Sequence, residues 1–125
     1  MVDESDAESL IFVYGSLKRG YSLHSYLADQ RFHAYAVTEP LYRLLDCGDY
    51  PALIKVSTDG VAVRGEVYSV TPFCLQQLDV VECVSEGLYT REPVRLQQHG
   101  GHVSAYFYAR SVAGLADCGC EWPNV

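Results

Sequence analysis

The stretch from residue 10 to residue 18, Leu-Ile-Phe-Val-Tyr-Gly-Ser-Leu-Lys, is the strongest constraint on the fold. Its first four residues are apolar and mostly β-branched or aromatic, which predicts a buried strand. Gly15 and Ser16 then interrupt the pattern. A glycine directly after a buried strand permits a turn with positive φ and a close backbone approach by a ligand. Successive N–H groups in such a turn can form an anion-binding concavity. The stretch therefore predicts either a tight structural turn or a ligand-binding loop.

Strand patterns outnumber helix patterns in the rest of the chain. After the first strand, apolar runs separated by Gly, Pro and Asp predict strands at residues 31–38, 41–45, 52–56, 61–70, 88–97 and 103–110. The turn Thr58-Asp59-Gly60 predicts a hairpin between the strands at 52–56 and 61–70. Gly65, within the longer of the two, predicts a bulge, a bend or the close approach of a ligand.

Two short helices complete the predicted fold, at residues 22–29 and 72–82. Ser22 is a candidate cap for the first helix, whose expected inner face carries Leu23, Tyr26 and Leu27. Thr71 and Pro72 suit the start of the second helix, whose expected core residues are Phe73, Leu75, Leu78 and Val81. The sequence thus predicts an α+β domain with a mainly antiparallel curled sheet or small β-barrel and two or more short helices.

Length and charge limit the classes of protein to consider. The 125 residues fit a single domain, which we expect at residues 10–125, after a disordered lead-in at residues 1–9. A net charge of −7 disfavours binding to nucleic acid or to an anionic membrane. The acidic N-terminal stretch is unlike a signal peptide and the apolar runs are too short to span a bilayer, so we expect a cytoplasmic protein. The oligomeric state stays open.

Cysteine and histidine spacing gives no reason to expect a metal or a cofactor. The five cysteines form no CxxC pair, which favours free thiols in a cytoplasmic chain. His99 and His102 lie in a Gly-rich turn without further candidate ligands. Cys118 and Cys120 could form a pair or bind a metal, but we expect a loose, reduced C-terminal tail.

Glu82 is the best candidate for a catalytic group. It falls at the predicted end of the second helix, where unpaired carbonyls and apolar neighbours both raise a carboxyl pKa toward the range of a general base. Asp79 lies three residues earlier on the same helix, so the two carboxylates could repel and raise one of their pKa values further. Asp79 and Glu86 are competing candidates, and a solvated surface role for Glu82 stays open. No Ser/His/Asp triad and no phosphate-binding glycine motif is present.

Six segments, in order, resemble one family. Residues 12–20, Phe-Val-Tyr-Gly-Ser-Leu-Lys-Arg-Gly, are similar to the opening signature of the γ-glutamylcyclotransferase-like superfamily, and most similar to the short branch that includes γ-glutamylamine cyclotransferase. The resemblance continues through Tyr-Pro-Ala-Leu, Gly-Glu-Val-Tyr, Leu-Asp-Val-Val-Glu, Leu-Tyr-Thr-Arg and Tyr-Phe-Tyr at residues 50–53, 65–68, 78–82, 88–91 and 106–108.

The resemblance implies an enzyme that cyclises a γ-glutamyl amide or amine to 5-oxoproline and releases the amine, without metal or cofactor. It implies that Glu82 is the general acid/base and that the substrate contacts Tyr14, Gly15, Ser16, Leu17 and Tyr89. The chain departs from the family in one place: Cys83 replaces a common glycine, and Glu82 is one residue farther from the Leu-Tyr-Thr-Arg segment. A binding module without turnover and a hydrolase with the same glutamate are the alternative functions.

Overall fold

The computed structural model describes residues 8–98 and 101–123. Its elements follow the chain as strands β1 (Ser9–Val13), β2 (Arg31–Val37), β3 (Tyr42–Asp46), β4 (Pro51–Lys55) and β5 (Arg64–Val70), helix α1 (Pro72–Val81), and strands β6 (Tyr89–Pro93), β7 (Val103–Tyr108) and β8 (Ala116–Gly119). A 3₁₀ helix (His24–Leu27) lies between β1 and β2.

The strands form two curled sheets. The larger has the order β2-β5-β1-β7-β6 and the smaller the order β4-β3-β8. The β1–β7 pair is parallel and the other pairs are antiparallel. The predicted α+β class with a mainly antiparallel curled sheet is therefore confirmed, and the described strands do not close into a barrel.

The central strand β1 is buried on both faces, which explains its continuous apolar run. Phe12 packs into the core on one side of the large sheet, and Ile11 and Val13 pack into the core on the other side. Gly65 on β5 lies against this strand, since an added Cβ would fall 2.4 Å from the carbonyl oxygen of Val13. The predicted close approach at Gly65 is thus made by β1, and the bulge lies instead on β2, between Phe32 and Ala34.

The predicted hairpin between the strands at 52–56 and 61–70 is wrong. Strand β4 pairs with β3, whereas β5 pairs with β1 and β2 in the other sheet. After the turn at residues 58–60, only Val61 pairs with the small sheet, through a single bridge to Tyr42. The turn therefore moves the chain from one sheet to the other, which a local turn motif cannot distinguish from a hairpin.

The first predicted helix is only a four-residue 3₁₀ helix, and Ser22 does not cap it. The N-cap position is Leu23, whose side chain makes no capping hydrogen bond. Leu27 is buried as expected, but Tyr26 is 41% exposed. With three residues per turn, a 3₁₀ helix does not present the face that a 3.6-residue period predicts.

Helix α1 begins as predicted. The Thr71 hydroxyl accepts a hydrogen bond from the Cys74 N–H at 3.1 Å, and Pro72 occupies the first turn. Its buried residues are Cys74 and Leu78, whereas Phe73, expected in the core, is 68% exposed. The inner face is therefore rotated by one residue at the start of the helix.

The C-terminal segment is ordered, in contrast to the predicted loose tail. Strand β8 pairs with β3, and Cys118 within it is buried. The Arg64 N–H donates to the Cys120 carbonyl at 2.8 Å, and the Lys18 ammonium donates to the Trp122 carbonyl at 2.6 Å. Long-range contacts thus order a sequence of low strand propensity. All five cysteines are free.

Some expectations fall on residues outside the described part of the chain. Of the predicted lead-in, residues 1–7 lie outside it, and Ser9 pairs with Val70 as the first residue of β1. His99, one of the two histidines considered for a metal, also lies outside it. Among the described residues, neither helix has the length and apolar character needed to cross a bilayer.

Candidate active site

A pocket opens where β1 ends, beside the C-terminal end of α1 and the start of β4. It measures about 320 Å³, counting its open mouth. The residues that line it are Phe12, Val13, Tyr14, Gly15, Ser16, Leu17, Tyr50, Pro51, Glu82, Tyr89 and Tyr106. The pocket thus brings together the loop after the first strand and Glu82, which are distant in sequence.

The loop after β1 uses its carbonyl groups away from the pocket. The Gly15 carbonyl accepts from the Lys18 N–H at 3.0 Å, and the Ser16 carbonyl accepts from the Leu23 N–H at 2.9 Å. The Leu17 carbonyl lies 3.0 Å from Nδ1 of His24. Within the described chain, the N–H groups of Gly15, Ser16 and Leu17 donate no hydrogen bond. Three successive donors are therefore available for an anion or a developing oxyanion.

Gly15 is needed for space rather than for a positive φ. Its φ lies outside the left-handed region, in contrast to the predicted turn geometry. A Cβ added at Gly15 would fall 2.7 Å from Cγ and 2.8 Å from Cδ of Pro51. The close approach is thus made by Pro51, the first residue of β4, which fixes the loop against the small sheet.

Tyrosines form the wall of the pocket, and their hydroxyl groups hold the backbone. The Tyr14 hydroxyl donates to the Tyr106 carbonyl and the Tyr89 hydroxyl to the Pro51 carbonyl, each at 2.5 Å. The Tyr50 ring packs edge-on against Tyr89, with centroids 6.2 Å apart. Burial raises the pKa of Tyr14 and of Tyr89, so both stay neutral phenols. Tyr14 and Tyr89 therefore form a rigid, uncharged wall.

Glu82 is positioned by the way that α1 ends. It is the C-cap residue, and its N–H donates to the Leu78 carbonyl. The N–H of Cys83 donates to the Val80 carbonyl and that of Val84 to the Asp79 carbonyl, both at 3.0 Å. This pair of bonds is a Schellman motif with Cys83 in the left-handed position, at φ +53°. The motif therefore forms with a cysteine, rather than a glycine, in the left-handed position.

Burial raises the pKa of Glu82 to about 7. The cause differs from the one predicted, because the last carbonyls of α1 are satisfied by the Schellman motif. Asp79 is also not the cause. Its carboxylate accepts from the Arg91 guanidinium at 2.9 Å and from the Tyr106 hydroxyl at 2.6 Å, which offset its charge. Glu82 thus combines a pocket position with a pKa suited to proton transfer near neutral pH.

Glu86, the competing candidate, does not line the pocket. Its side chain is exposed and accepts a hydrogen bond from the Ser85 hydroxyl at 2.8 Å. Its carbonyl accepts from Arg110. Of the two glutamates considered from the sequence, the structure brings only Glu82 together with the loop.

Comparison with known proteins identifies the family. The profile of the family described as "Gamma-glutamyl cyclotransferase, AIG2-like" matches residues 11–122. The chain belongs to this family. A provisionally named gamma-glutamylcyclotransferase of Arabidopsis thaliana is 40% identical over 95 residues, which cover 70% of this chain and 51% of that protein. The gamma-glutamylaminecyclotransferase of Homo sapiens is 38% identical over 96 residues, 71% of this chain and 62% of that protein.

Solved structures of the gamma-glutamyl cyclotransferase, AIG2-like family share the fold. The AIG2-like protein of Mus musculus superposes with a TM-score of 0.70 at 28% identity, covering 84% of this chain and 78% of that one. The chain spans about half the length of the Arabidopsis relative and less than two thirds of the human one.

Five residues of this pocket were not predicted as site residues: Phe12, Val13, Tyr50, Pro51 and Tyr106. All five fall in segments that resemble the gamma-glutamyl cyclotransferase, AIG2-like family, at residues 12–20, 50–53 and 106–108. The resemblance therefore marked these residues in the sequence. Their assignment to the pocket required contacts such as that of Pro51 with Gly15 and that of the Tyr106 carbonyl with Tyr14.

Proposed function

We propose that this protein is a γ-glutamylcyclotransferase that converts a γ-glutamyl amine or amide to 5-oxoproline and the free amine. The observation that carries the proposal is the position of Glu82, a partly buried carboxyl with a raised pKa, in the same pocket as three N–H groups that donate to no described residue. Family membership supports the same reaction type.

The substrate supplies its own nucleophile in this reaction. The α-amine nitrogen attacks the γ-carbonyl carbon, a new C–N bond closes the five-membered ring, and the original amide C–N bond breaks. Because the attack is already intramolecular, the protein needs only to hold the substrate in the conformation in which the amine lies near the carbonyl. The rigid tyrosine wall of the pocket suits this positioning role.

Glu82 has the proton-transfer role in this proposal. Its carboxylate takes the proton that the α-amine loses on attack and returns a proton to the leaving nitrogen, so protons balance over the cycle. A pKa of about 7 leaves both protonation states accessible near neutral pH. The N–H groups of Gly15, Ser16 and Leu17 donate hydrogen bonds to negative charge, either on the developing oxyanion or on the substrate carboxylate.

The test is a panel of γ-glutamyl amines and γ-glutamyl amino acids incubated with the protein, with products identified by mass spectrometry. We expect 5-oxoproline and the free amine. Glu82→Gln keeps the shape of the side chain but cannot take a proton, so kcat should fall by about 10²–10⁴. Glu86→Gln, the matched control outside the pocket, should leave kcat nearly unchanged.

Other products would point to other functions. Free glutamate instead of 5-oxoproline would identify a hydrolase in which Glu82 activates water. Binding of 5-oxoproline without turnover of any substrate would identify a binding module. Loss of activity in Glu86→Gln but not in Glu82→Gln would show that the assignment of the acid/base is wrong.

A further inference from the structure

A cavity separate from the candidate active site lies over strands β2 and β5, beside the C-terminal segment. It measures about 670 Å³, counting its open side. We call it the charged cavity, because its described lining includes the charged side chains of Lys18, Arg64, Glu66 and Glu121. None of the residues described in its lining also lines the candidate active site. A ligand held here would therefore use side chains that the proposed reaction does not use.

Glu66 offers one free carboxylate oxygen to the charged cavity, although the residue is only 7% exposed. Its Oε1 accepts hydrogen bonds from the Arg19 N–H at 3.1 Å and from the Tyr68 hydroxyl at 2.9 Å. Its Oε2 accepts no hydrogen bond from a described residue. Among the described side chains, no enclosed oxygen or nitrogen lacks a hydrogen-bond partner, so Oε2 keeps contact with solvent. A buried carboxylate with an open oxygen is suited to binding an ammonium group.

Two cationic side chains line the same cavity. Lys18 is 6% exposed, and its ammonium donates to the Trp122 carbonyl at 2.6 Å, which uses one of its three N–H groups. The Arg64 guanidinium is largely exposed, and its ion pair with Glu121 is long, at 3.7 Å. Within the described chain, both cations thus keep donors that a carboxylate can accept from.

The balance of charge indicates the class of ligand. A simple anion would be repelled by the two glutamates of the lining, and a simple cation would be repelled by Lys18 and Arg64. A molecule that carries one charge of each sign meets an opposite charge with each of its ends. A free α-amino acid has this pattern, because a single carbon joins its ammonium and carboxylate groups.

We propose that the charged cavity binds a free α-amino acid, with its ammonium group on Glu66 and its carboxylate beside Lys18 and Arg64. The proposal concerns a second site and does not rest on the proposed function of the first.

The test is a titration of the ¹⁵N-labelled protein with each of the standard L-amino acids, followed by the chemical shifts of the backbone amides. We expect at least one amino acid to produce saturable shifts at Arg19, Ala36 and Gly65, which border or line the charged cavity. The amine and the carboxylic acid that correspond to the tightest-binding amino acid each lack one charge. Each should bind at least about tenfold more weakly, since a hydrogen-bonded charge is lost.

Variants of the lining test the two ends of the ligand separately. Glu66→Gln keeps an acceptor for the Arg19 N–H but removes the charge, and should weaken binding by at least about tenfold. Arg64→Met, at an exposed side chain, should weaken it by about two- to fivefold. Arg31→Met is the matched control, because it makes the same change in net charge on the neighbouring strand β2, outside the lining of both cavities, and should leave the affinity unchanged.

The inference would be overturned if no amino acid gave saturable shifts, or if the shifts were confined to residues of the candidate active site. Equal affinity of the amino acid and its amine or acid would also overturn it, as would unchanged affinity in both Glu66→Gln and Arg64→Met. If Glu66→Gln fails to fold, Arg64→Met and the comparison of ligands still decide the result. Formation of 5-oxoproline enters none of these measurements, so the proposed function stands or fails separately.

Discussion

At the scale of single residues, Glu82 shows how position changes chemistry. The side chain lies among apolar and aromatic pocket residues, and burial alone raises its pKa to about 7. Desolvation disfavours the charged form of a carboxyl, so ionised Glu82 has a cost in stability that neutral Glu82 does not have. A functional carboxylate of this kind is therefore expected to lower the free energy of unfolding at high pH.

The pH dependence of stability tests this cost. Because the native state holds the Glu82 proton more tightly than the unfolded state, stability falls as pH rises from the unfolded pKa to about 7. Between pH 5 and pH 8, wild type should lose up to about 3 kcal/mol relative to Glu82→Gln, whose side chain does not titrate. Urea unfolding of both proteins at the two pH values measures the difference. If the free energy of unfolding changes with pH in the same way in both proteins, the Glu82 carboxyl is not desolvated in the native state.

At the scale of elements, the end of α1 decides where Glu82 points. The Schellman motif places Cys83 at φ +53°, a conformation that glycine adopts without strain and that a side chain disfavours. The motif forms nevertheless, because the hydrogen bonds to the Val80 and Asp79 carbonyls satisfy the helix end. The chain thus keeps a strained cysteine directly after the proposed acid/base.

Cys83→Gly should relieve this strain. We expect the free energy of unfolding to rise by about 0.5–1 kcal/mol, since the gain at positive φ exceeds the added freedom of the unfolded chain. Ser85→Gly, at an exposed residue of the same loop without positive φ, should instead lower it by about 0.4–1 kcal/mol. Denaturant unfolding of both variants gives the comparison. If Cys83→Gly lowers the free energy of unfolding as Ser85→Gly does, the backbone at Cys83 is not strained.

Elements whose patterns are local could be predicted from the sequence, and those that depend on distant partners could not. The strand β1 and the cap of α1 by Thr71 follow from residue types within a few positions. The partner of β5 and the strand β8 depend on contacts between segments that are distant in the sequence. The candidate site shows the same division: the loop and Glu82 were named from motifs, whereas Pro51 was recognised only by its contact with Gly15.

At the scale of the whole molecule, the C-terminal segment joins the two sheets to the loop of the pocket. Strand β8 belongs to the small sheet. The Cys120 carbonyl accepts a hydrogen bond from the backbone of β5 in the large sheet, and the Trp122 carbonyl accepts one from Lys18 at the end of the loop. The Trp122 ring packs near Tyr21, with centroids 5.9 Å apart. Burial of Trp122 is therefore expected to stabilise the whole fold.

Trp122→Ala should lower the free energy of unfolding by about 3–5 kcal/mol, the usual cost of truncating a buried aromatic residue. Phe73→Ala removes another aromatic ring, but one that is mostly exposed, and should change stability by less than about 0.5 kcal/mol. Thermal and urea unfolding measure both. A small effect of Trp122→Ala would contradict the ordered C-terminal segment and favour the loose tail that the sequence predicts.

The strand order of the large sheet also determines when the pocket can form. Of the described strands, β1 comes first in the sequence, yet it lies between β5 and β7, and Leu10 pairs with Val103. Such pairing of distant segments slows folding and leaves apolar strands exposed for longer. During synthesis on a ribosome, the apolar residues of β1 therefore stay exposed until β5 and β7 have also been made. The loop that we propose binds the substrate is made early and reaches its final form late.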